Sequence, residues 1–142
     1  MRATAIELLP AVAKEAQRTA DRLGVADRVD IRAEDARDFA ERDAFAVAFW
    51  AQPFFPAGTR QATLAMILGA LEPGGRLLMQ EWEAEPEDDK GAFTLRAFVH
   101  RGWGVPFGRS AEELKAEAEE AGFEFVRIGV SAFGRYVVMR KA

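Results

Sequence analysis

Phe45-Ala46-Val47-Ala48-Phe49-Trp50 is an apolar run without a break, and residues 59–71 follow it with Leu64, Ile67, Leu68 and Leu71 at helical spacing. Leu71-Glu72-Pro73-Gly74-Gly75-Arg76-Leu77-Leu78 then turns on Pro73-Gly74-Gly75 into a second apolar run that reaches Gln80. A short uninterrupted run fits a strand covered on both faces. Leucine and isoleucine three and four residues apart give a helix one buried stripe, and a Pro-Gly-Gly cluster punctuates the chain. Strand, helix and strand in this order form a crossover unit, which folds right-handed into a parallel sheet.

The pattern repeats upstream. Residues 2–8 read as a short strand, and Pro10 opens a helix at the position that tolerates a missing N–H. Val12, Ala16, Ala20 and Leu23 fall at helical spacing before Gly24 stops it. Val29, Ile31 and Ala33 alternate with Asp30 and Arg32, the pattern of a strand with one more exposed face. Residues 34–38 then form a polar loop. Downstream, residues 83–90 are an acidic loop and residues 93–99 a short helix. Ser110 with Glu113 is a capping box that opens a helix ending at Gly122. Residues 123–130 and 133–140 close the chain as two strands joined too tightly for anything but an antiparallel hairpin. The expectation is a single α/β domain over residues 1–142, mostly parallel, with no internal boundary.

Composition narrows the partners. A net charge of −4 without any basic stripe argues against nucleic acid or an anionic membrane. The absence of cysteine excludes disulfides, thiol chemistry and cysteine-ligated metal. With one histidine and no converging carboxylates, no metal site is expected. No apolar stretch approaches the roughly 20 residues of a membrane span and none reads as a signal peptide, so a soluble cytoplasmic protein is expected.

In this order the pieces resemble the class I S-adenosylmethionine-dependent methyltransferases, small-molecule O-methyltransferases in particular, whose Rossmann-like sheet ends in an antiparallel hairpin. Residues 3–7 look like that family's second strand, residues 29–36 its third strand and loop, and residues 45–52 its fourth. Residues 71–78 look like its turn into the fifth strand. One departure is large: the first strand and the glycine-rich loop that cradle the cofactor's methionine part have no counterpart, so the fold is expected to be N-terminally incomplete. A fragment of a longer protein, a partner chain filling the gap, or a rearranged sheet would each account for it, and chain exchange or homodimerisation stays open.

The resemblance implies S-adenosyl-L-methionine as cofactor and a small-molecule acceptor, with methyl transfer to oxygen as the leading activity of the complete protein. Glu7, ending a strand, would accept both ribose hydroxyls; a strand-ending surface glutamate is the alternative. Asp35 would accept from the adenine amine and the Ala36 N–H would donate to a ring nitrogen, against an ordinary turn. Trp50 and Ala51 would face the cofactor where the fourth strand releases the chain, although at least one aromatic there is expected to be plain core. Gln52, Trp82, Phe98 and Trp103 would line the acceptor. His100, whose ordinary pKa suits proton abstraction from a hydroxyl, and Glu81 are the candidate bases, each weighed against a solvated surface role. A non-catalytic binding or assembly module of the same shape is the second reading. Nicotinamide binding is a poorer third, because no Gly-x-Gly-x-x-Gly run exists.

Overall fold

The structure is a computed structural model, which describes residues 2–82, 88–105, 107–132 and 134–142. The expected acidic loop at 83–90 falls largely outside the described residues. The chain forms two compact units, Met1–Ala40 and Glu41–Ala142.

The first unit holds β1 (Ala3–Glu7), α1 (Pro10–Arg22) and β2 (Val29–Ala33). β1 and β2 pair in parallel, with Ala3 opposite Val29 and Glu7 opposite Ala33. Pro10 does stand in the first turn of α1. The buried stripe of that helix matches the expected one only in part: Ala20 is buried as expected and Ala16 half-buried, while Val12 and Leu23 are exposed and Ala13 is buried in their place. Both sets fit a helical period, so spacing alone does not choose between the two faces. Phe39, beyond the polar loop, is buried with the Arg32 guanidinium 5.4 Å over its ring.

The second unit holds β3 (Phe45–Trp50), α2 (Arg60–Ala70), β4 (Leu71–Gln80), α3 (Lys90–Gly102), α4 (Ala111–Glu120), β5 (Glu124–Ser131) and β6 (Gly134–Arg140). Its sheet runs β3-β4-β6-β5, parallel between β3 and β4 and antiparallel through the last two pairs. The fold class is thus the expected one, a Rossmann-like methyltransferase arrangement with a C-terminal antiparallel hairpin. Leu64 and Ile67 of α2 and Leu114 and Ala118 of α4 pack on Leu77, Met79, Val137 and Met139 to make the core. The Ser110–Glu113 capping box is present in both directions.

Two local features differ from the expectation. β4 begins at Leu71, and the Pro-Gly-Gly turn is looped out of the ladder: Phe45 is opposite Leu71, but Val47 is opposite Arg76. Gly74 has a positive φ of 78°, and a Cβ on Gly75 would lie 2.8 Å from the Glu72 carbonyl oxygen and 3.1 Å from that of Phe45. The backbone approaches itself too closely there for a side chain. β3, expected to be covered on both faces, is covered on one. Trp50 is 2% exposed, whereas Val47 and Phe49 on the other face are 57% and 63% exposed. Among the described residues the core helices α2 and α4 pack on the face that carries Trp50, Leu77 and Met79, and an apolar run does not reveal how many sides are filled.

Candidate functional site

Parallel strands collect ligands at their carboxyl ends, and most of the candidates lie at such ends, distributed over the two units. In the first unit, the parallel register brings the ends of β1 and β2 side by side. The Glu34 N–H donates to the Glu7 carbonyl at 3.1 Å. The Glu7 carboxylate accepts the Leu9 N–H at 3.0 Å through Oε1, a bond that fixes the side chain at the strand end. A carboxylate keeps further lone pairs for hydroxyl donors.

Asp35 caps the short 3₁₀ turn Ala36–Asp38. Its Oδ1 accepts the Arg37 N–H and Nε, each at 2.9 Å, and its Oδ2 accepts Arg37 Nη2 at 2.6 Å. These bonds hold the Asp35 carboxyl down at about 2, so it is an ionised acceptor at any physiological pH. Ala36 is the first residue of the turn, and an N–H in that position has no acceptor within the turn. The three expected nucleoside contacts, Glu7, Asp35 and the Ala36 N–H, therefore share one edge of one small sheet. Glu34 reads from the sequence as a loop charge. Its Oε1 is buried and without a partner among the described residues, a signal available only from coordinates.

In the second unit the ends of β3 and β4 are joined differently from the expectation. Gln52 is buried, and its Nε2 donates to the Gln80 carbonyl at 3.3 Å. Its own carbonyl oxygen and its Oε1 accept from Arg60 at 2.7 and 3.2 Å. Arg60, 1% exposed, makes two 2.6 Å bonds to Glu117 and lies 4.5 Å over the Trp50 ring. Trp50 is therefore the aromatic that belongs to the core, and Gln52 is spent on holding the strand end. Ala51 is half-buried, and its carbonyl accepts the Phe54 N–H at 3.2 Å. Glu81 is also held structurally. Its Oε1 accepts the Ala111 N–H at the start of α4 at 3.0 Å, with Arg135 at 3.4 Å. A carboxylate at a helix N-terminus is well placed electrostatically, and that placement leaves Glu81 engaged rather than poised as a base.

Trp82 is exposed and stands edge-on to Phe54 at 6.2 Å. Phe54, not singled out from the sequence, thus joins it in an open aromatic corner beyond β3 and β4. On α3, which is longer than expected, His100 packs against Trp103 at 5.3 Å and Phe107 at 4.7 Å, with Phe93 against Phe107 at 5.0 Å. The His100 Nδ1 is buried without a partner among the described residues. Phe98 lies two residues before His100 and is exposed; a separation of two residues in a helix turns side chains about 200° apart, so these two do not line one surface. Among the described residues no group of acids and histidine could hold a metal ion. No helix there is long and apolar enough to cross a membrane.

No family model and no curated protein matches the chain. Solved structures do. The mitomycin 7-O-methyltransferase MmcR is 24% identical, with a TM-score of 0.82 over 100% of this chain and 42% of its own. An O-methyltransferase family 2 protein from Planctomyces limnophilus, solved with apigenin, is 23% identical, with a TM-score of 0.71 over 99% of this chain and 44% of its own. The [4+2]-cyclase SpnF is 22% identical, with a TM-score of 0.65 over 91% of this chain and 46% of its own. The fold is that of S-adenosylmethionine-dependent methyltransferases. This chain spans about half the length of these structures. A cyclase among them illustrates that a fold of this kind does not dictate one reaction.

Proposed function

We propose that the chain carries the nucleoside half of an S-adenosylmethionine site and belongs to an enzyme that methylates a small molecule, with oxygen as the acceptor atom. The observation that carries this reading is the shared edge of β1 and β2, where Glu7 stands opposite Ala33 and Asp35 caps the next turn. Glu7 accepts the two ribose hydroxyls, Asp35 accepts the adenine amine, and the Ala36 N–H donates to the ring. The cofactor, when bound, supplies an electrophilic methyl group. The methionine cradle of the resembled family has no counterpart between residues 1 and 142, so the chain's own residues account for the nucleoside end.

In the second unit, Trp82 with Phe54 offers a flat apolar contact to an acceptor, and Trp103 adds another beside His100. His100, whose Nδ1 has no partner among the described residues, is the candidate to take the hydroxyl proton, while the methyl transfer itself asks mainly for in-line placement. Trp50, Gln52 and Glu81 support this arrangement from behind as positioning residues. Calorimetric titration of S-adenosylmethionine into the chain tests the reading. Micromolar binding that falls at least about tenfold in Glu7→Gln, with adenosine competing for the site, is the expected result. A folded chain that binds neither compound overturns it in favour of a non-catalytic module.

A further inference from the structure

Phe93 and His100 stand seven residues apart on α3, and two turns of a helix bring such positions back to one side. Both rings pack on Phe107, with centroids at 5.0 Å and 4.7 Å. Phe107 lies outside the helix, so whatever fixes Phe107 also fixes that side of α3. The chain turns directly after it. Gly108 has a positive φ of 64°, which a glycine adopts without strain. Arg109, 32% exposed, then brings Nη1 to 3.9 Å from Glu117 Oε2. Ser110 and Ala111 follow at the start of α4, held by the capping box and by the Glu81 carboxylate.

Glu117 is not a surface charge. It is buried, and each of its oxygens accepts a 2.6 Å bond from Arg60, which also donates to both Gln52 oxygens at the end of β3. A carboxylate has about four lone-pair sites, so the fork from Arg60 leaves room on Oε2 for a second cation. Glu117 lies about 10 Å along α4 from Ser110 and on nearly the same side of the helix. Arg109 therefore runs back along α4 toward it. Attraction to a buried charge is screened less than attraction between two exposed ones.

We infer that Arg109 is a positioning residue: through Glu117 it anchors Phe107, and through Phe107 it holds His100 in place relative to the end of β3. The consequence for catalysis rests on the reading of His100 as the group that takes the acceptor's proton. Transfer between fixed groups tolerates little misplacement, and the anchored ring keeps His100 at a set distance from the strand end. Trp103 differs. It caps α3 itself and donates its N–H to the His100 carbonyl at 3.0 Å, so its 5.3 Å ring contact with His100 is local and needs no anchor.

Nuclear magnetic resonance on the full chain tests this, because His100 is the only histidine and its ring protons give one set of signals. The native chain should show nuclear Overhauser contacts from the His100 ring to Phe107 and to Trp103. Arg109→Gln should lose the Phe107 contact, keep the Trp103 contact and shift the His100 signals. Arg109→Lys, which keeps the cation, should retain both contacts. So should Lys115→Gln, which removes a different cation of α4, one paired with Glu119 at 3.6 Å. The inference is overturned by a native chain without the Phe107 contact, by its persistence in Arg109→Gln, or by its loss in Arg109→Lys or Lys115→Gln. Loss of both contacts in Arg109→Gln also overturns it, since α3 itself would then have come apart. The readout needs neither cofactor nor acceptor, so its failure leaves the nucleoside-site reading standing.

Discussion

Replacing Glu117 by Gln keeps the shape of the side chain and removes the charge that faces Arg60. The two groups are buried and share two 2.6 Å bonds; an amide offers Arg60 one acceptor oxygen and turns a competing N–H₂ toward its second donor. Arg109, 3.9 Å from the same carboxylate, adds a further cation that loses its counter-charge. Breaking a buried pair by neutralising one partner costs about 3–5 kcal/mol. The two bonds from Arg60 to Gln52 remain, which places the expected loss near the lower end, about 3 kcal/mol. Against the roughly 5–15 kcal/mol of a typical domain, that is a large share. Urea denaturation followed by tryptophan fluorescence measures it, because Trp50 lies directly under Arg60. Arg60→Met with Glu117→Met removes both charges together. It leaves the Gln52 oxygens without their donor, at a cost of about 1–2 kcal/mol, and Arg109 without its counter-charge just as Glu117→Gln does, but no buried guanidinium facing an amide, so the double variant should be more stable than Glu117→Gln alone. A loss below about 1 kcal/mol in Glu117→Gln, or a double variant less stable than the single one, would refute the picture of a dry, mutually compensating pair.

Gly75→Ala should cost about 1–3 kcal/mol by the same denaturation measurement, since its Cβ would meet two carbonyl oxygens of the backbone rather than a side chain that can swing away. Ser110→Ala should cost about 1 kcal/mol, with the loss visible as faster hydrogen exchange at the Glu113 amide, whose partner is the Ser110 hydroxyl at 3.1 Å. Arg37 holds Asp35 at about 2 against an ordinary value of 3.8, so the folded state binds fewer protons than the unfolded state between those values, and the ion pair's stabilisation is complete above them and lost as pH falls through about 2. The gap in thermal midpoint between the native chain and Asp35→Asn should therefore be open at pH 5 and close near pH 2; a gap of equal size at both would sink the assignment.

Much of this fold is legible because its signals are local. Pro73-Gly74-Gly75, the Ser110 and Glu113 pair, and the alternation of Val29 and Ile31 each lie within a few residues of the geometry they specify. The strand ends that carry Glu7 and Asp35 follow from the same signals, since a parallel pair puts its carboxyl ends together. Arg60 is not legible in this way. Its partner is 57 residues away in sequence, and an arginine at the start of a helix ordinarily reads as solvated. The same holds for Gln52 and Glu81, whose roles are set by Arg60 and by the start of α4. The bare face of β3 is hidden for another reason: six apolar residues specify that a strand prefers burial, and only the arrangement of the helices specifies on how many sides it receives it.

The strand order of the second unit also has a consequence during synthesis. β6 lies between β4 and β5, so one edge of β4 stays bare until residues 134–140 have left the ribosome. Lys141 then ties the late segment to the early one: it exchanges backbone bonds with Gly74 and Gly75, while its Nζ reaches the Leu71 carbonyl at 2.7 Å and Asp43 at 2.6 Å. The first unit has its own parallel pair and helix within residues 1–40 and needs no such wait. Emerging chains would thus pass through an interval in which β1 and β2 are already paired while β3 and β4 still present an unpaired apolar edge. That interval is when a nascent-chain chaperone has most reason to engage this protein.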